Sequence, residues 1–337
     1  MEINTKINVY RSAGLLASGV LLLASIVSSI CFGFIAISWK DMLASFTSYD
    51  ETVMDQVIVR TARLPRAMIA AAVGASLALA GAVLQSVTRN PLASPSVLGI
   101  NAGASVAVVA AITVLGIRES EALMWFAFGG AAMAAAMVYA LGSLGGEGLS
   151  PLKIILAGAA LTALFSSVTQ GMLAHNENGL QEVLFWLTGS VAGRTTEMLL
   201  PSLPYMAVGI VLALVLSRHW NVIAMGEESA KGLGQHLSFV KAAAGVIVIL
   251  LAGSAVAVAG PIGLVGIIVP HIARRFSGMD YRWLLPFSAL IGATLLVLAD
   301  LAARFINYPI EIPVGVMTAA LGAPFFIYIA RKERAKE

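Results

Sequence analysis

Polar and charged side chains within apolar runs are the residues of this sequence that could do chemistry. Asp300 and Arg304 lie four residues apart, so a helix would place them on one face, where they could form an ion pair. Gln85 and Arg89 share this spacing near the end of another run, and His271 lies in a short run. Because charge is costly inside a membrane, such groups either pair locally or mark a pathway.

The sequence contains none of the common catalytic or metal-binding motifs. It has neither the GxxxxGK[ST] loop that binds nucleotide phosphates nor the HExxH pair of zinc enzymes. Its four histidines lie far apart, and no cluster of His, Asp or Glu has the spacing of metal ligands. We therefore predict that the protein is not an enzyme, binds no cofactor or metal ion, and draws energy for transport from a partner.

A second group of charges, Arg63 and Arg66 in the string RLPR, precedes a long apolar run. Pro65 suits the first turn of a helix, where a missing N–H group is harmless, so the arginines could simply anchor that helix at the membrane interface. They could also dock an acidic partner, together with Arg304, which is predicted on the same side. The residues alone leave both interpretations open.

The elements that must position these residues are membrane helices, as the composition indicates. Of the 337 residues, 59% are hydrophobic and 12% are charged, whereas soluble domains carry about 25% charged residues. The 32 glycines fit closely packed membrane helices. The net charge of +3 forms no basic stripe, so we expect no nucleic-acid partner. We predict an all-α, polytopic protein, surrounded by membrane lipid, with one transmembrane domain over residues 1–337.

Ten apolar runs are long enough, or nearly long enough, to cross a bilayer. We predict membrane helices at about residues 12–37, 67–88, 93–115, 121–142, 152–173, 201–218, 241–260, 262–276, 283–305 and 312–330. The third and the eighth are short or broken by proline and glycine. A shorter amphipathic segment, Gln181–Val191, is predicted to lie in the membrane interface.

The lysines and arginines orient these helices. With both termini in the cytoplasm, 14 of the 21 lie on the inner side and 7 on the outer side, as the positive-inside rule requires. We therefore predict a multi-pass protein of the cell membrane with both termini in the cytoplasm. This orientation places Arg63 and Arg66 outside, against the rule, and the polar stretch Asn221–Gln235 inside.

Asn221–Gln235, with the sequence NVIAMGEESAKGLGQ, lies between two membrane-length apolar runs. It carries Glu227, Glu228 and Lys231, and it is too short to fold as a domain of its own. We therefore predict a cytoplasmic loop over residues 219–240 that is presented to another protein.

Two strings indicate an internal repeat: GASLALAG at 74–81 and GSAVAVAG at 253–260, which are 179 residues apart. The copies would begin at the second and seventh helices, so the second copy would be inverted in the membrane. Chance similarity between glycine-rich strings is the other interpretation. Inverted repeats with interrupted helices are typical of transporters.

Several longer strings, taken in order, resemble the FecCD family. They are RLPR at 63–66, GASLALAGAVLQSVTRNPLASPSVLGINAGA at 74–104, GEESAKGLG at 226–234, GPIGLVGIIVPHIARR at 260–275 and EIPVGV at 311–316. The similarity covers nearly the whole chain. Members of this family are permease subunits of ABC importers for iron–siderophores, haem and cobalamin. The resemblance implies a type II importer-like permease with an inverted repeat.

The resemblance also implies a role for the arginines. In such permeases, the arginines of RLPR and one after the ninth helix meet glutamates of an extracytoplasmic substrate-binding protein. The matching positions here are Arg63, Arg66 and Arg304. Arginine suits this contact because its guanidinium group can bind a carboxylate through two hydrogen bonds.

The loop at 226–234 resembles the coupling helix of the family, which fits a groove on the ATP-binding cassette ATPase subunit. The matching residues are Gly226, Glu227, Glu228, Ala230, Gly232, Leu233 and Gly234. Small residues would allow close approach, Leu233 would be an apolar anchor, and the two glutamates would meet basic residues. A solvated turn between two helices is the alternative.

Two further sets of residues are expected along the route of the substrate. The loop between the fourth and fifth helices resembles the inner gate of the family and contains Gly146, Gly148, Ser150 and Pro151. Residues at predicted helix breaks are expected to line the pathway: Asn90, Pro91, Asn101, Pro261, Pro270 and His271. For His271, a packing role is the other interpretation.

The resemblance implies the partners and the cargo. We expect ATPase subunits, a substrate-binding protein and a second permease subunit, identical or a paralogue, with the pathway between the two permeases. Import of a ferric siderophore is the leading interpretation, and import of cobalamin or haem is the alternative within the family. An ion-coupled secondary carrier is the alternative from another class, but it would need a buried carboxylate in the middle of a helix.

Overall fold

The computed structural model describes residues 2–143, 151–175, 180–307 and 310–334, and this part of the chain contains helices and no strand. The helices are α1 (Glu2–Cys31), α2 (Trp39–Thr47), α3 (Met54–Ile58), α4 (Leu64–Thr88), α5 (Ile100–Thr113), α6 (Ser120–Ser143), α7 (Pro151–His175), α8 (Leu180–Leu187), α9 (Thr196–Leu199), α10 (Leu203–Val215), α11 (Ser217–Ala224), α12 (Glu227–Gly232), α13 (Leu237–Val248), α14 (Ser254–Ala259), α15 (Val265–Ser277), α16 (Tyr281–Ile306) and α17 (Val314–Arg334). Two π-helical turns, Val59–Arg63 and Ile249–Gly253, join α3 to α4 and α13 to α14.

Each of the ten predicted membrane helices overlaps a helix of the structure, and the all-α fold is confirmed. Within the described ranges, six helical segments are long and apolar enough to cross a membrane: Asn8–Cys31, Met54–Thr88, Ser120–Ser143, Lys153–Ala174, Leu237–Ala259 and Tyr281–Ile306. α10 and α11 form a seventh if they are one span with a 57° bend. The other predicted spans correspond to α5, α15 and α17, whose apolar parts are shorter.

The two ends of the bundle are connected by α4. Its 25 residues extend about 37 Å, from Arg66 in the first turn to Thr88. Arg89 follows this helix and lies beside Gly226, just before α12. We call the end with Arg66 the arginine end and the opposite end the α12 end.

Close helix crossings form the centre of the bundle. Gly74 of α4 faces Gly292 of α16, and Gly81 of α4 faces Gly266 of α15. A Cβ atom at Gly74 or Gly81 would overlap the carbonyl group of the opposite glycine. Only glycine therefore allows these backbones to approach so closely, which is the common use of small residues between membrane helices.

The two glycine-rich strings of the predicted repeat do not occupy equivalent positions in their helices. Gly81 lies inside α4, well before its end at Thr88, whereas Gly260 directly follows the last residue of α14 and has a φ of 72°. Glycine is therefore required at the two positions for different structural reasons. Gly81 permits a helix crossing, and Gly260 permits a left-handed backbone where a helix ends.

α5 and α15 are too short to cross a bilayer alone. With 14 and 13 residues, each extends about 20 Å, whereas the hydrocarbon core is about 30 Å thick. Each begins after a non-helical segment, residues 89–99 before α5 and residues 260–264 before α15. Irregular backbone at this depth is stable only where protein or a polar cavity surrounds it.

The polar stretch predicted as a loop is largely helical. α11 continues α10 after a bend, α12 follows, and α13 begins at Leu237, so only short turns at 225–226 and 233–236 are left. Trp220 and Ile223 are fully buried on one face of α11, while its polar residues supply the opposite face. An amphipathic helix of two turns is easily mistaken for a loop, because its polar face dominates the composition.

Candidate functional site

The charged residues at the arginine end form one connected cluster. Arg66 donates from Nε and Nη2 to the carboxylate of Asp300 at 2.9 Å and 2.8 Å, and its Nη1 donates to Glu311 Oε2 at 2.8 Å. Arg304 donates from Nη2 to Asp300 Oδ2 at 2.7 Å, across one turn of α16. The ion pair predicted from the spacing of Asp300 and Arg304 is therefore present, and Asp300 also ties α4 to α16.

Arg63 and Arg304 hold the C-terminal end of α1. Arg63 Nη1 donates to the carbonyl oxygens of Ile30 at 2.7 Å and Cys31 at 3.0 Å. Arg304 Nη1 donates to the carbonyl oxygen of Ser29 at 2.8 Å. Carbonyl groups in the last turn of a helix have no partner within it, and positive charge is favourable there. Both side chains are buried and cap this helix.

The predicted docking residues are therefore not isolated side chains projecting from the surface. Beside them lies a cavity of about 320 Å³, whose lining includes Arg63, Arg66, Arg194, Arg304 and Glu311. Four guanidinium groups outnumber the two carboxylates of the described residues that contact them, Glu311 and Asp300, which suits the cavity to an anionic group. The docking of Arg63, Arg66 and Arg304 to a binding protein stays a prediction. Arg194 was not among the predicted residues, and its only signal was its place among the few outer basic residues.

α12 buries one face and presents the other to solvent. Ala230 is fully buried, whereas Glu228, Gly232 and Leu233 are exposed, with Leu233 at 66%. Met225, just before the helix, is exposed at 68% and places a second apolar side chain beside it. Sequence reasoning missed Met225 because it lies outside the motif, although an exposed apolar residue next to a polar helix is a usual sign of a contact surface.

A salt bridge and two glycine turns hold α12 in place. Glu227 Oε1 accepts from Lys241 Nζ of α13 at 2.7 Å, so Glu227 is engaged within the chain while Glu228 faces outward. Gly226 precedes the helix with a φ of 120°, and Gly234 follows it with a φ of 77°. Residues that have a side chain rarely adopt these backbone conformations, so both turns require glycine.

The α12 end is also tied to the start of α16. Asn221 of α11 donates from Nδ2 to Asp280 Oδ1 at 2.8 Å, and its Oδ1 accepts from the N–H group of Tyr281 at 2.8 Å. Burial raises the pKa of Asp280, but hydrogen bonds from Arg282 and Asn221 outweigh burial and lower this pKa to about 2. Asp280 is thus ionised at neutral pH, which suits a residue that caps the N-terminus of a helix.

Two predicted helix breaks are joined by a hydrogen bond. Asn101, in the first turn of α5, donates from Nδ2 to the carbonyl oxygen of Ile262 at 3.2 Å. Ile262 follows Pro261 in the segment before α15, so this bond connects the break before α5 to the break before α15. Asn90 and Pro91 lie in the turn after α4, where Asn90 Oδ1 accepts from the N–H group two residues on at 2.9 Å.

Pro270 does not break a helix, contrary to the prediction, because it lies inside α15. Proline has no N–H group, so the carbonyl oxygen of Gly266, four residues earlier, lacks its helical partner. Gln85 of α4 takes that place by donating from Nε2 to Gly266 O at 3.0 Å. Gln85 Oε1 in turn accepts from Arg274 Nη2 at 2.6 Å. Gln85 and Arg89 have the spacing of neighbours on one helix face, but the arginine that bonds to Gln85 is Arg274.

The remaining predicted residues fall into two groups. The half-buried ring of His271 packs edge-on against Phe325 of α17 at 5.6 Å between centroids, which favours a packing role. The gate residues Gly146, Gly148 and Ser150 lie outside the described residues, and Pro151 begins α7. The described ranges hold no group of three or more His, Cys, Asp or Glu that could bind a metal ion.

Comparison with known proteins gives consistent matches over almost the full length. A model of the FecCD transport family matches residues 21–332. The probable siderophore transport system permease protein YfiZ of Bacillus subtilis (strain 168) is 53% identical over 312 residues, 93% of this chain and 93% of that protein. The Fe(3+)-citrate import system permease protein YfmD of the same organism is 48% identical over 280 residues, 83% of each. A solved structure described as an inward-facing metal-chelate type ABC transporter matches with a TM-score of 0.82 and 31% identity, covering 96% of this chain and 99% of that one.

Proposed function

The chain belongs to the FecCD transport family, and we propose that it is the permease subunit of an ABC importer for ferric siderophores. The observation that carries this proposal is the high identity, over almost the full length of both chains, to a permease named for siderophore transport. The chain is a multi-pass protein of the cell membrane and belongs to a permease family, not to a catalytic one. ATP hydrolysis is assigned to separate ATPase subunits.

The α12 end faces the cytoplasm in this proposal and receives the ATPase. Both termini then lie in the cytoplasm, as the distribution of lysine and arginine favours. Leu233 and Met225 are apolar side chains left in solvent at this end, and burying them against an ATPase groove would remove that exposure. Glu228 is exposed beside them and can meet a basic residue, whereas Glu227 keeps Lys241.

The arginine end faces outward and receives the substrate-binding protein. The cavity lined by Arg63, Arg66, Arg194 and Arg304 offers excess positive charge, so it can admit a carboxylate from an acidic partner. Three of these guanidinium groups, those of Arg63, Arg66 and Arg304, already fix the ends of α1, α4 and α16. A partner carboxylate that enters the cavity would therefore act directly on groups that hold three helices together.

Uptake of labelled substrates tests this function. A strain lacking the gene, and the same strain complemented with it, are given iron-55 as hydroxamate, catecholate and citrate chelates, together with labelled haem and cobalamin. We expect the gene to restore uptake of at least one ferric chelate, and orthovanadate, which blocks ABC ATPases, to abolish that uptake. Complementation by haem or cobalamin alone would replace the proposed cargo with the family alternative. Uptake that persists with vanadate and collapses with a protonophore would indicate an ion-coupled carrier.

A further inference from the structure

A polar cavity lies where the two helix breaks meet. It has a volume of about 430 Å³ and lies between α5, α7, α8 and the segment before α15 that contains Pro261. Although α5, α7 and α8 are apolar helices, about half of the residues in the lining are polar, and none of the described lining residues is charged. We call it the break cavity.

Two side chains of α5 in this lining each have a buried oxygen atom that is unpaired within the described residues. Asn101 donates to Ile262 through Nδ2, but among the described residues neither its Oδ1 nor Ser105 Oγ has a hydrogen-bond partner. Both residues are 6% exposed. Leaving a buried polar atom unpaired is costly, so such atoms in a roomy cavity are expected to bond to water or to a ligand.

The hydroxyl groups of α7 reinforce the same polarity. Thr162 Oγ1 donates to the carbonyl oxygen of Gly158 at 2.7 Å, and Thr169 Oγ1 donates to that of Phe165 at 2.8 Å. A hydroxyl group has one proton to donate, so each threonine oxygen keeps acceptor capacity for the cavity. Together with Asn101 Oδ1, these oxygens give the lining several acceptor positions without any charge.

We propose that the break cavity binds uncharged, hydrogen-bond-donating groups of the translocated chelate, above all amide N–H groups, through Asn101 Oδ1 and Ser105 Oγ. This inference rests on the proposed function. Such a site complements the arginine end, where charge is recognised. Because neutral hydrogen bonds exchange readily with water, the site can hold the chelate in passage without trapping it.

Replacement of Ser105 tests the proposal, because Ser105 Oγ has no partner in the part of the chain that the structure describes, so its loss breaks no hydrogen bond there. The matched control is Ser288→Ala on α16, which removes another buried and unpaired hydroxyl outside the cavity lining. Both variants are expressed in the complete importer. Iron-55 uptake is measured at saturating binding protein, with amide-bearing ferric hydroxamate and catecholate chelates and with ferric citrate, which has no N–H group.

We expect Ser105→Ala to slow uptake of the amide-bearing chelate about five-fold, the effect of one hydrogen bond of about 1 kcal/mol, and Ser288→Ala to leave it unchanged. Equal uptake by both variants would overturn the proposal, because the cavity would then hold water alone. An equal loss with ferric citrate, or a wild type that carries only ferric citrate, would contradict the ligand class while leaving the proposed function intact. A wild type that carries no ferric chelate would remove the proposed function itself.

Discussion

Gln85 and Arg63 both satisfy carbonyl groups that other helices leave unpaired. Gln85 donates to the carbonyl oxygen of Gly266, to which Pro270 has no N–H group to donate. Arg63 donates to the last carbonyl groups of α1. Within a membrane, no water is available to bond to these carbonyl groups. A side chain of the protein must therefore be their partner. At the scale of single residues, polar groups in this permease therefore serve its architecture as well as its partners.

Replacing Gln85 with leucine tests this role. Gln85→Leu keeps the volume but leaves Gly266 O and Arg274 without their partner. We expect the purified permease to lose about 1–3 kcal/mol of stability, the cost of unpaired buried groups, measured by thermal unfolding in detergent. The physical reason predicts a rescue. Pro270→Ala restores an N–H group that can bond to Gly266 O within α15.

The double variant Gln85→Leu/Pro270→Ala should therefore be more stable than Gln85→Leu alone, and a double-mutant cycle measures the coupling. If Pro270→Ala changes stability by the same amount in both backgrounds, the two residues are independent and the repair assigned to Gln85 is wrong. The loss of the hydrogen bond from Arg274 to Gln85 Oε1 is common to Gln85→Leu and the double variant, so it cancels when these two are compared.

The helices were largely predictable as elements, and so was the shortness of the third and eighth, but the residues at which these helices begin were not. Apolar runs about twenty residues long predicted a helix at each of ten places, because hydrocarbon requires such runs, although α5, α15 and the apolar part of α17 are shorter than a full span. The prediction began the third helix at residue 93, but α5 begins at Ile100. The residues between, ASPSVLG, contain serine, proline and glycine and form turns. Pro270 was expected to end a helix, but Gln85 of α4 allows α15 to continue. A partner from a distant helix leaves no local signal in the sequence.

The candidate sites were predictable in type but not in contact. The arginines at 63, 66 and 304 were singled out by charge, yet their partners are carbonyl groups of α1 and Asp300. Glu227 and Glu228 are neighbours with the same chemistry, and only the structure separates the one bound to Lys241 from the exposed one. Charge can be read from sequence, whereas the pairing of charges depends on how the helices pack.

Packing of α4 against α15 and α16 gives a prediction at the scale of elements. A Cβ atom at Gly81 would overlap the carbonyl group of Gly266, whereas one at Gly19 of α1 would meet nothing within 4 Å. We therefore expect Gly81→Ala to force α4 and α15 apart and to prevent recovery of monodisperse protein. Gly19→Ala should leave the protein intact, with stability equal or slightly higher because alanine favours a helix. Size-exclusion profiles of the detergent-solubilised variants distinguish these outcomes, and equal profiles would contradict the close crossing.

At the scale of the whole molecule, α4 and α16 are two rods that connect the proposed docking surfaces. α4 extends from Arg66 to the neighbourhood of Gly226, and α16 extends from Asp280, bonded to Asn221, to Arg304. Their central crossing at Gly74 and Gly292 holds them together. A change imposed at one surface can thus reach the other through packed helices instead of flexible loops, which is the contiguous path that coupling between distant sites can use.

This arrangement predicts that damage at the two surfaces affects different steps. Arg194→Glu reverses a charge in the cavity at the arginine end. This change is preferred to changes at Arg63, Arg66 or Arg304, because those residues also hold helices together. Leu233→Ala removes the exposed apolar side chain beside α12. Controls of matched chemistry are Arg118→Glu and Leu16→Ala, which change an exposed arginine outside that cavity and an exposed leucine of α1.

The measurement is ATP hydrolysis by the reconstituted importer, titrated with the substrate-binding protein. We expect Arg194→Glu to raise the concentration of binding protein needed for half-maximal stimulation about ten-fold, because charge at the rim governs encounter and register. Leu233→Ala should instead lower the maximal rate, because an apolar anchor of the ATPase is lost. If both variants changed the same parameter, or if the controls matched them, the two surfaces would not be separate docking sites. Separate effects would leave α4 and α16 as the route by which binding outside reaches the ATPase inside.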